Sequence, residues 1–438
     1  MLTKIKDIYL KPILKYILIF ITTVFILFSA LTLTAKIPKS AIEENLKESV
    51  EFFKQNSGVE ELLKRRNYTF IHYYADSIIL NIIYCIDPTK PVQSSMWANY
   101  YEEIKADINN DYITVVEEQK KPNQQYLRYW HGSMAILRPL LIILNIEQIY
   151  LLNKIVMYLL AIILFILLFK KSKKLAIIYL LAMIMIAFPI VPFCLEYSWT
   201  FYIMLITSII AIQIEKRGDK GLFVLFFITG ILTCFFDFLT TEIITILVPV
   251  LLVLFIRKEE NRITSFKEAS KFLLKSCVLW GIAYITMWFS KWILASIILN
   301  INAIDYVKDE AMFRINGVQG IRSKKEMYLG ALFKNWHALY PINIIKRELD
   351  LWKMVAIFLV AIVASLDWKN IKNKWFSMLM LIVGLIPYIR YLVLANHSYR
   401  HSFFTFRSQI ITIIAIAFII IDCLNYKLLF KKINIRRK

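Results

Sequence analysis

Apolar runs follow one another along the whole chain, and polar segments only interrupt them. They lie at Tyr16–Leu33 and near 148–169, 175–193, 197–214, 221–236, 243–256, 275–297, 352–367, 375–393 and 409–425. About 20 apolar residues in helical form cross the hydrocarbon of a bilayer, so these runs predict ten transmembrane helices. The first run is unbroken over 18 residues and follows Lys4, Lys6, Lys11 and Lys15. That is longer than the apolar core of a cleaved signal peptide and predicts an uncleaved anchor, with a leader cut near Thr34-Ala35 as the alternative. Between the first two runs, Ile42, Leu46, Val50 and Phe53 recur at helical spacing. They predict an amphipathic helix over 41–55, lying on the bilayer or on the spans.

The predicted class is an all-α polytopic membrane protein of about ten transmembrane helices with a long, partly helical first extracellular loop. Its segments are 1–34 (N-terminus and first span), 35–147 (first outer loop), 148–297 (spans two to seven), 298–351 (second outer loop) and 352–438 (spans eight to ten and a basic tail). Composition agrees: 58% of the 438 residues are hydrophobic and the mean hydropathy is +0.57.

The formal net charge of +21 suggests nucleic-acid binding until its distribution is considered. KKSKK (170–174), EKRGDK (215–220), the basic stretch 256–267, DWKNIKNK (367–374) and the tail 427–438 all fall on alternate connections. Basic residues collect in cytoplasmic loops, so these segments and the N-terminus are read as inside. The 35–147 loop, by contrast, holds 13 Lys and Arg against 15 Asp and Glu. The charge is topological, and no nucleic-acid partner is expected. The five Cys show no CxxC pairing, so neither a disulfide framework nor a zinc knuckle is indicated.

Candidate chemistry gathers in the segments read as outside. In CFFDFLTTE (234–242), Asp237 and Glu242 stand between two apolar runs. An ionised carboxylate in a bilayer costs on the order of 3 kcal/mol or more, so the turn is expected to tuck into an outward-facing cavity. YYADSIILNIIY (73–84) carries Asp76 ahead of an apolar run too short to span. A lone Asp there suits the N-cap of an interfacial helix, or a carboxylate that deprotonates a hydroxyl or binds a metal. In LRYWHGSMAILRPLLIILN (127–145), His131 and Arg138 stand among apolar and aromatic residues. Arg138 either snorkels or meets a phosphate. NHSYRHSFFTFR (396–407) groups His397, Arg400, His401 and Arg407. The HxxxH spacing fits zinc, but with no third ligand an anionic head group fits better. In 298–351, Trp336, His337, Tyr340 and Pro341 suit either a sugar or lipid site or an interfacial anchor.

YADSIILN, RYWHGSMAILRPLL, FFDFLTTEIITILVPVLL and NHSYRHSFFTFR, laid out in this order, resemble a group of bacterial multi-pass membrane proteins and, more distantly, the GT-C superfamily of membrane glycosyltransferases. That resemblance implies a bacterial plasma-membrane protein with both termini cytoplasmic. It implies a lipid-linked sugar donor, with a sugar moved from a polyprenyl-phosphate carrier to an acceptor on the outer face. Asp76 would be the general base, although no second acid stands beside it here. His131, Arg138, His337, His397, Arg400, His401 and Arg407 would line the substrate site. Asp237 and Glu242 would bind a divalent cation, orient the acceptor or balance the arginines. The rival readings are a flippase or transporter of a lipid-linked precursor, a polysaccharide polymerase and an acyltransferase. A transporter of that kind places charges at mid-membrane in broken helices, whereas here they gather on one side.

Overall fold

A computed structural model describes residues 11–56, 58–61, 70–103, 108–318, 320–339 and 373–423. The first helix, α1 (Lys11–Ala35), is followed by α2 (Glu43–Gln55), the strands β1 (Val59–Glu61) and β2 (Phe70–His72), α3 (Tyr74–Cys85), α4 (Pro91–Trp97), β3 (Asn99–Tyr100), α5 (Ile108–Glu117), β4 (Gln124–Gln125) and α6 (Met134–Leu140). Then come α7 (Ile146–Lys171), α8 (Lys173–Met185), α9 (Leu195–Ile214), α10 (Asp219–Phe236), α11 (Ile244–Glu259) and α12 (Phe266–Leu299). The remainder is α13 (Ala303–Asn316), α14 (Lys324–His337), α15 (Lys374–Val393), α16 (Ala395–Arg400), α17 (Ser402–Thr405) and α18 (Ile410–Cys423). The strands form two small antiparallel pairs, β1 with β2 and β3 with β4.

Seven of the described helices are long and apolar enough to cross a membrane: α1, α7, α9, α10, α12, α15 and the continuous stretch Ser402–Asp422. The chain is therefore an all-α polytopic membrane protein. The predicted span 352–367 lies outside the described residues. The run 175–193 does not stay helical throughout. It ends as α8 at Met185, Ala187 turns left-handed at φ 53°, and a 3-10 segment over Phe188–Phe193 carries Pro189 and Pro192. Proline removes a backbone donor and disfavours helix before it, which accounts for the break. The run 243–256 forms α11, in which every residue from Ile244 to Arg257 is buried. This helix is the packed centre of the bundle and meets protein on all sides.

The amphipathic segment forms α2, with Ile42, Leu46, Val50 and Phe53 buried. It rests on the bundle: Tyr112 donates to the Leu46 carbonyl at 2.9 Å, and the Ile146 amide donates to Ser49 Oγ at 3.0 Å. Asn145 and Gln148 form a reciprocal capping box that starts α7.

The described basic connections meet at one end of the bundle. The buried Glu215 takes contacts from Lys171 at 3.2 Å and from Arg262, Arg257 reaches Asp219 at 2.7 Å, and Lys258 reaches Asp422 at 2.6 Å. The segments holding Asp76, His131, Asp237 and His397 form the opposite end.

Close helix contact depends on Gly230 of α10. A Cβ there would stand 2.3 Å from the Trp280 carbonyl oxygen of α12. Since backbone cannot yield as a side chain can, Gly230→Ala is expected to cost about 1–3 kcal/mol. The measurement is the midpoint of thermal unfolding in detergent, and an unchanged midpoint would mean that α10 and α12 are not in this contact.

Candidate functional site

The turn between α10 and α11 holds the two carboxylates of the 234–242 stretch, and both are buried. Asp237 is bonded within its own turn. Its oxygens accept from the Thr240 amide at 3.0 and 3.2 Å and from the Thr240 hydroxyl at 2.5 Å. Burial, with Glu242 nearby, raises its pKa above the ordinary carboxylate value. Glu242 is instead ion-paired. Arg390 of α15 donates to it in bidentate fashion, Nε to Oε1 at 2.8 Å and Nη2 to Oε2 at 3.0 Å. The same guanidinium reaches the Leu239 carbonyl at 2.7 Å and Ser398 Oγ at 3.2 Å.

Leu239 occupies the left-handed region at φ 65°, which costs a non-glycine residue about 1 kcal/mol or more. Its carbonyl receives a second hydrogen bond, from His397 Nε2 at 2.7 Å. Arg390 and His397 thus hold the turn in a shape its sequence does not favour. His397 packs against His401, ring centroids 4.6 Å apart. His401 Nε2 accepts from Arg314 Nη1 at 3.0 Å. Burial holds His401 down to about pKa 3, with Arg314 adding to it, so it is a neutral acceptor at physiological pH.

His131, also left-handed at φ 54°, donates through Nε2 to the Tyr126 carbonyl at 2.7 Å and packs on Phe238 of the turn at 5.4 Å. Asp76, Glu196, Ser133 and Phe238 together border a cavity of about 10 Å³. The stretches around 76, 131, 237 and 397 therefore converge at one end of the bundle.

Asp76 lies in the first turn of α3, whose N-cap position is Tyr73. Its carboxylate accepts from Tyr150 Oη at 3.0 Å and from the amides of Leu195 at 2.8 Å and Glu196 at 3.0 Å. It thus caps α9, not its own helix. Burial raises its pKa to about 7.

The other predicted residues lie further out. Arg138 donates to the carbonyls of Ile83 at 2.5 Å and Ile37 at 2.6 Å, tying the end of α3 to the segment after α1. Arg407 is buried beneath the site, 4.6 Å from the Tyr197 ring, and donates to the Phe403 carbonyl at 3.0 Å. Arg400 and His337 are exposed, with Arg400 standing over Phe313 at 5.4 Å. Among the described residues, no three His, Cys, Asp or Glu side chains stand together as a metal site.

Beside the turn lies a cavity of about 440 Å³. One wall is Ile285, Trp288, Phe289 and Trp292 of α12, the other is Val307, Glu310 and Arg314 of α13, and Arg128, Tyr129 and Leu239 close the end. Ile285 and Phe289 are 56% and 47% exposed, so the groove opens on the apolar flank of the bundle. Arg128 pairs with Glu310 at 3.4 Å. The Nε atoms of Arg128 and Arg314 make no hydrogen bond.

Sequence reasoning does not single out Arg390, Arg314, Arg128 or Glu196. Arg390 had a signal, since a lone Arg within an apolar run is a functional candidate by default. The others stand in ordinary loop contexts, and only tertiary packing gives them meaning. The chain matches no family model, and no curated protein or solved structure is similar enough to match it.

Two outcomes are expected. Breaking the Arg390–Glu242 pair on one side leaves a buried charge, at a cost of about 3–5 kcal/mol, whereas replacing both partners by apolar residues costs less. Glu242→Leu with Arg390→Leu should therefore unfold at a higher temperature than either single variant. If the double variant is worse than both, the pair is not the closed unit described.

The second outcome concerns acid. Burial pushes His131 down to about pKa 3, against about 6.5 when unfolded. The unfolded chain then binds a proton that the folded chain refuses. Stability falls as pH drops below 6.5, by about 1.4 kcal/mol per pH unit. Asp76 acts with the opposite sign, since its raised folded value favours the folded form as pH falls through 7. His131→Asn, which tolerates the left-handed backbone, should lose less melting temperature between pH 7 and 5 than the parent. An equal loss would mean that His131 is not buried neutral.

Proposed function

We propose that the chain is a membrane glycosyltransferase that takes a sugar from a polyprenyl-phosphate carrier and passes it to an acceptor on the outer face of a bacterial plasma membrane, with the basic end and both termini in the cytoplasm. The observation that carries this reading is the side-opening groove. Its walls are mostly apolar and aromatic, its flank faces where lipid would lie, and two guanidinium groups line it, Arg314 on the wall and Arg128, paired with Glu310, at the closed end. A long isoprenoid suits such walls, and an arginine suits a phosphate because it offers parallel donors and a permanent charge. The groove speaks for the carrier; the sugar follows from the resemblance of the outer motifs.

In this reading the carrier enters laterally and its phosphate rests against Arg314, close to His401. The leaving phosphate gains negative charge in the transition state, where a fixed guanidinium in a poorly hydrated site stabilises it most. Asp237 and Glu242 shape the turn that carries Leu239, part of the groove's end.

The test is binding of undecaprenyl phosphate to the full chain in nanodiscs, read by tryptophan fluorescence, since Trp288 and Trp292 line the groove. Undecaprenyl phosphate is expected to change the emission at concentrations at least tenfold below those needed for undecaprenol. Arg314→Gln should weaken its binding about tenfold or more, and Trp288→Phe with Trp292→Phe should remove most of the signal. Equal binding of the alcohol and the phosphate, or an unaffected Arg314→Gln, would overturn the reading.

A further inference from the structure

We propose that Glu196, paired with His72, is the catalytic acid–base group at this end of the bundle, and that Asp76 is the positioning residue that holds it. The chemical role rests on the transferase reading above; the pairing rests on geometry alone.

Asp76 is poorly placed to take a proton from a substrate. It is 2% exposed, and three donors already converge on its carboxylate. What the carboxylate does is structural. The first amides of a helix have no acceptor within it, and Cys194, at the start of α9, offers no side-chain cap. Asp76 reaches across from α3 and supplies the missing acceptors to the first amides of α9.

The first turn so fixed carries Glu196. Its Oε2 lies 3.4 Å from His72 Nδ1, and the two side chains are 11% and 17% exposed, so they are sheltered but reachable. Neither atom has a hydrogen-bond partner elsewhere. A carboxylate beside an imidazole, with no competing bonds, can accept a proton and pass it on. A chain of side-chain contacts links the pair to the groove wall. The His72 ring packs on Phe403 at 4.7 Å, Phe403 packs on His401 at 5.8 Å, and His401 accepts from Arg314 of the groove wall.

The step balances as follows. The acceptor hydroxyl oxygen bonds to the anomeric carbon, and the bond from that carbon to the phosphate oxygen breaks, its electron pair leaving on the phosphate beside Arg314. The hydroxyl proton passes to Glu196 and through His72 Nδ1 to solvent. The charged and titratable groups facing the pair are Asp76 and Tyr74 from α3, Cys194 and Tyr197 around the start of α9, and His401 and Arg407 from the last helical stretch.

The experiment is release of radiolabelled sugar from a panel of undecaprenyl-phosphate-linked hexoses, to water and to a panel of hydroxyl-bearing cell-envelope glycans as acceptors, by the full chain in nanodiscs, measured from pH 5 to 9. Loss of a general base typically costs 10²–10⁴ in rate. Glu196→Gln and His72→Phe are therefore expected to lower kcat at least 100-fold and to remove the acidic limb of the pH profile, with Glu196→Asp restoring part of both. Asp76→Asn should lower kcat less and retain an acidic limb, which Glu196 supplies in this assignment. Thermal midpoints identify any variant that has lost its fold, and ¹⁵N-histidine NMR then reports the pair directly, since Glu196→Gln should move the ring-nitrogen resonances of His72. Sugar release by Glu196→Gln at the parent rate, or His72 ring-nitrogen resonances unmoved by that substitution, would overturn the proposal. If the parent chain releases sugar from no member of the panel, the transferase reading falls and the chemical role of the pair falls with it.

Discussion

A charge inside this bundle is tolerated only where protein groups replace the water it gave up, and the Arg390–Glu242 pair is where that requirement shapes most. The guanidinium satisfies both oxygens of Glu242 and still reaches the carbonyl of Leu239. Three consequences follow. The turn after α10 is locked to α15; Leu239 is held left-handed; and Phe238 is presented to His131 and Tyr129. Tyr129 and Leu239 both border the groove. A single buried ion pair therefore reaches, through one strained turn, the closed end of the groove. Such pairs give little net stability, but removing one partner is costly. That asymmetry is what makes a pair of this kind useful for fixing a shape.

Much of the fold was legible in the sequence because the bilayer imposes a simple rule: long apolar runs become helices. It failed where a second local rule intervened, as at Pro189 and Pro192, which stop α8 early. It also could not tell a lipid-facing helix from α11, which is apolar all round because protein surrounds it. Of the candidate site, His131, Asp237, Glu242, His397 and His401 were recognisable as unusual residues in apolar surroundings. What each one touches was not. Arg138 and Arg407 looked equally unusual, yet their charges go to backbone carbonyls and to an aromatic face. Local sequence reports that a charge needs a partner; it does not report which one.

Asp76 shows the limit most clearly. From sequence it was a helix cap or a catalytic base. Its place in the fold is a cap, but for a helix more than a hundred residues further along the chain. Capping is usually recognised from spacing within a few residues, and a cap delivered from another helix leaves no such spacing. Its consequence lies in the same turn, where Glu196 is turned toward His72. Neither of those two residues stands out in the sequence, because the pair exists only after α9 has been anchored.

The two ends of the bundle handle charge differently. At the basic end acids and bases largely satisfy one another, with Glu215 taking both Lys171 and Arg262 and with Lys258 on Asp422. Among the described residues, buried polar atoms are left over at both ends: Nε of Arg257 and Oδ2 of Asp422 at the basic end, and at the other Nε of Arg128 and Arg314, Nε and Nη2 of Arg407, Oη of Tyr197 and Oε2 of Glu196. A buried donor without an acceptor typically costs about 1–3 kcal/mol. A bundle built only for stability would pair these groups or replace them with apolar ones. Of these residues, Arg128 and Arg314 line the open apolar groove, so part of that cost is borne where the groove is walled by charge.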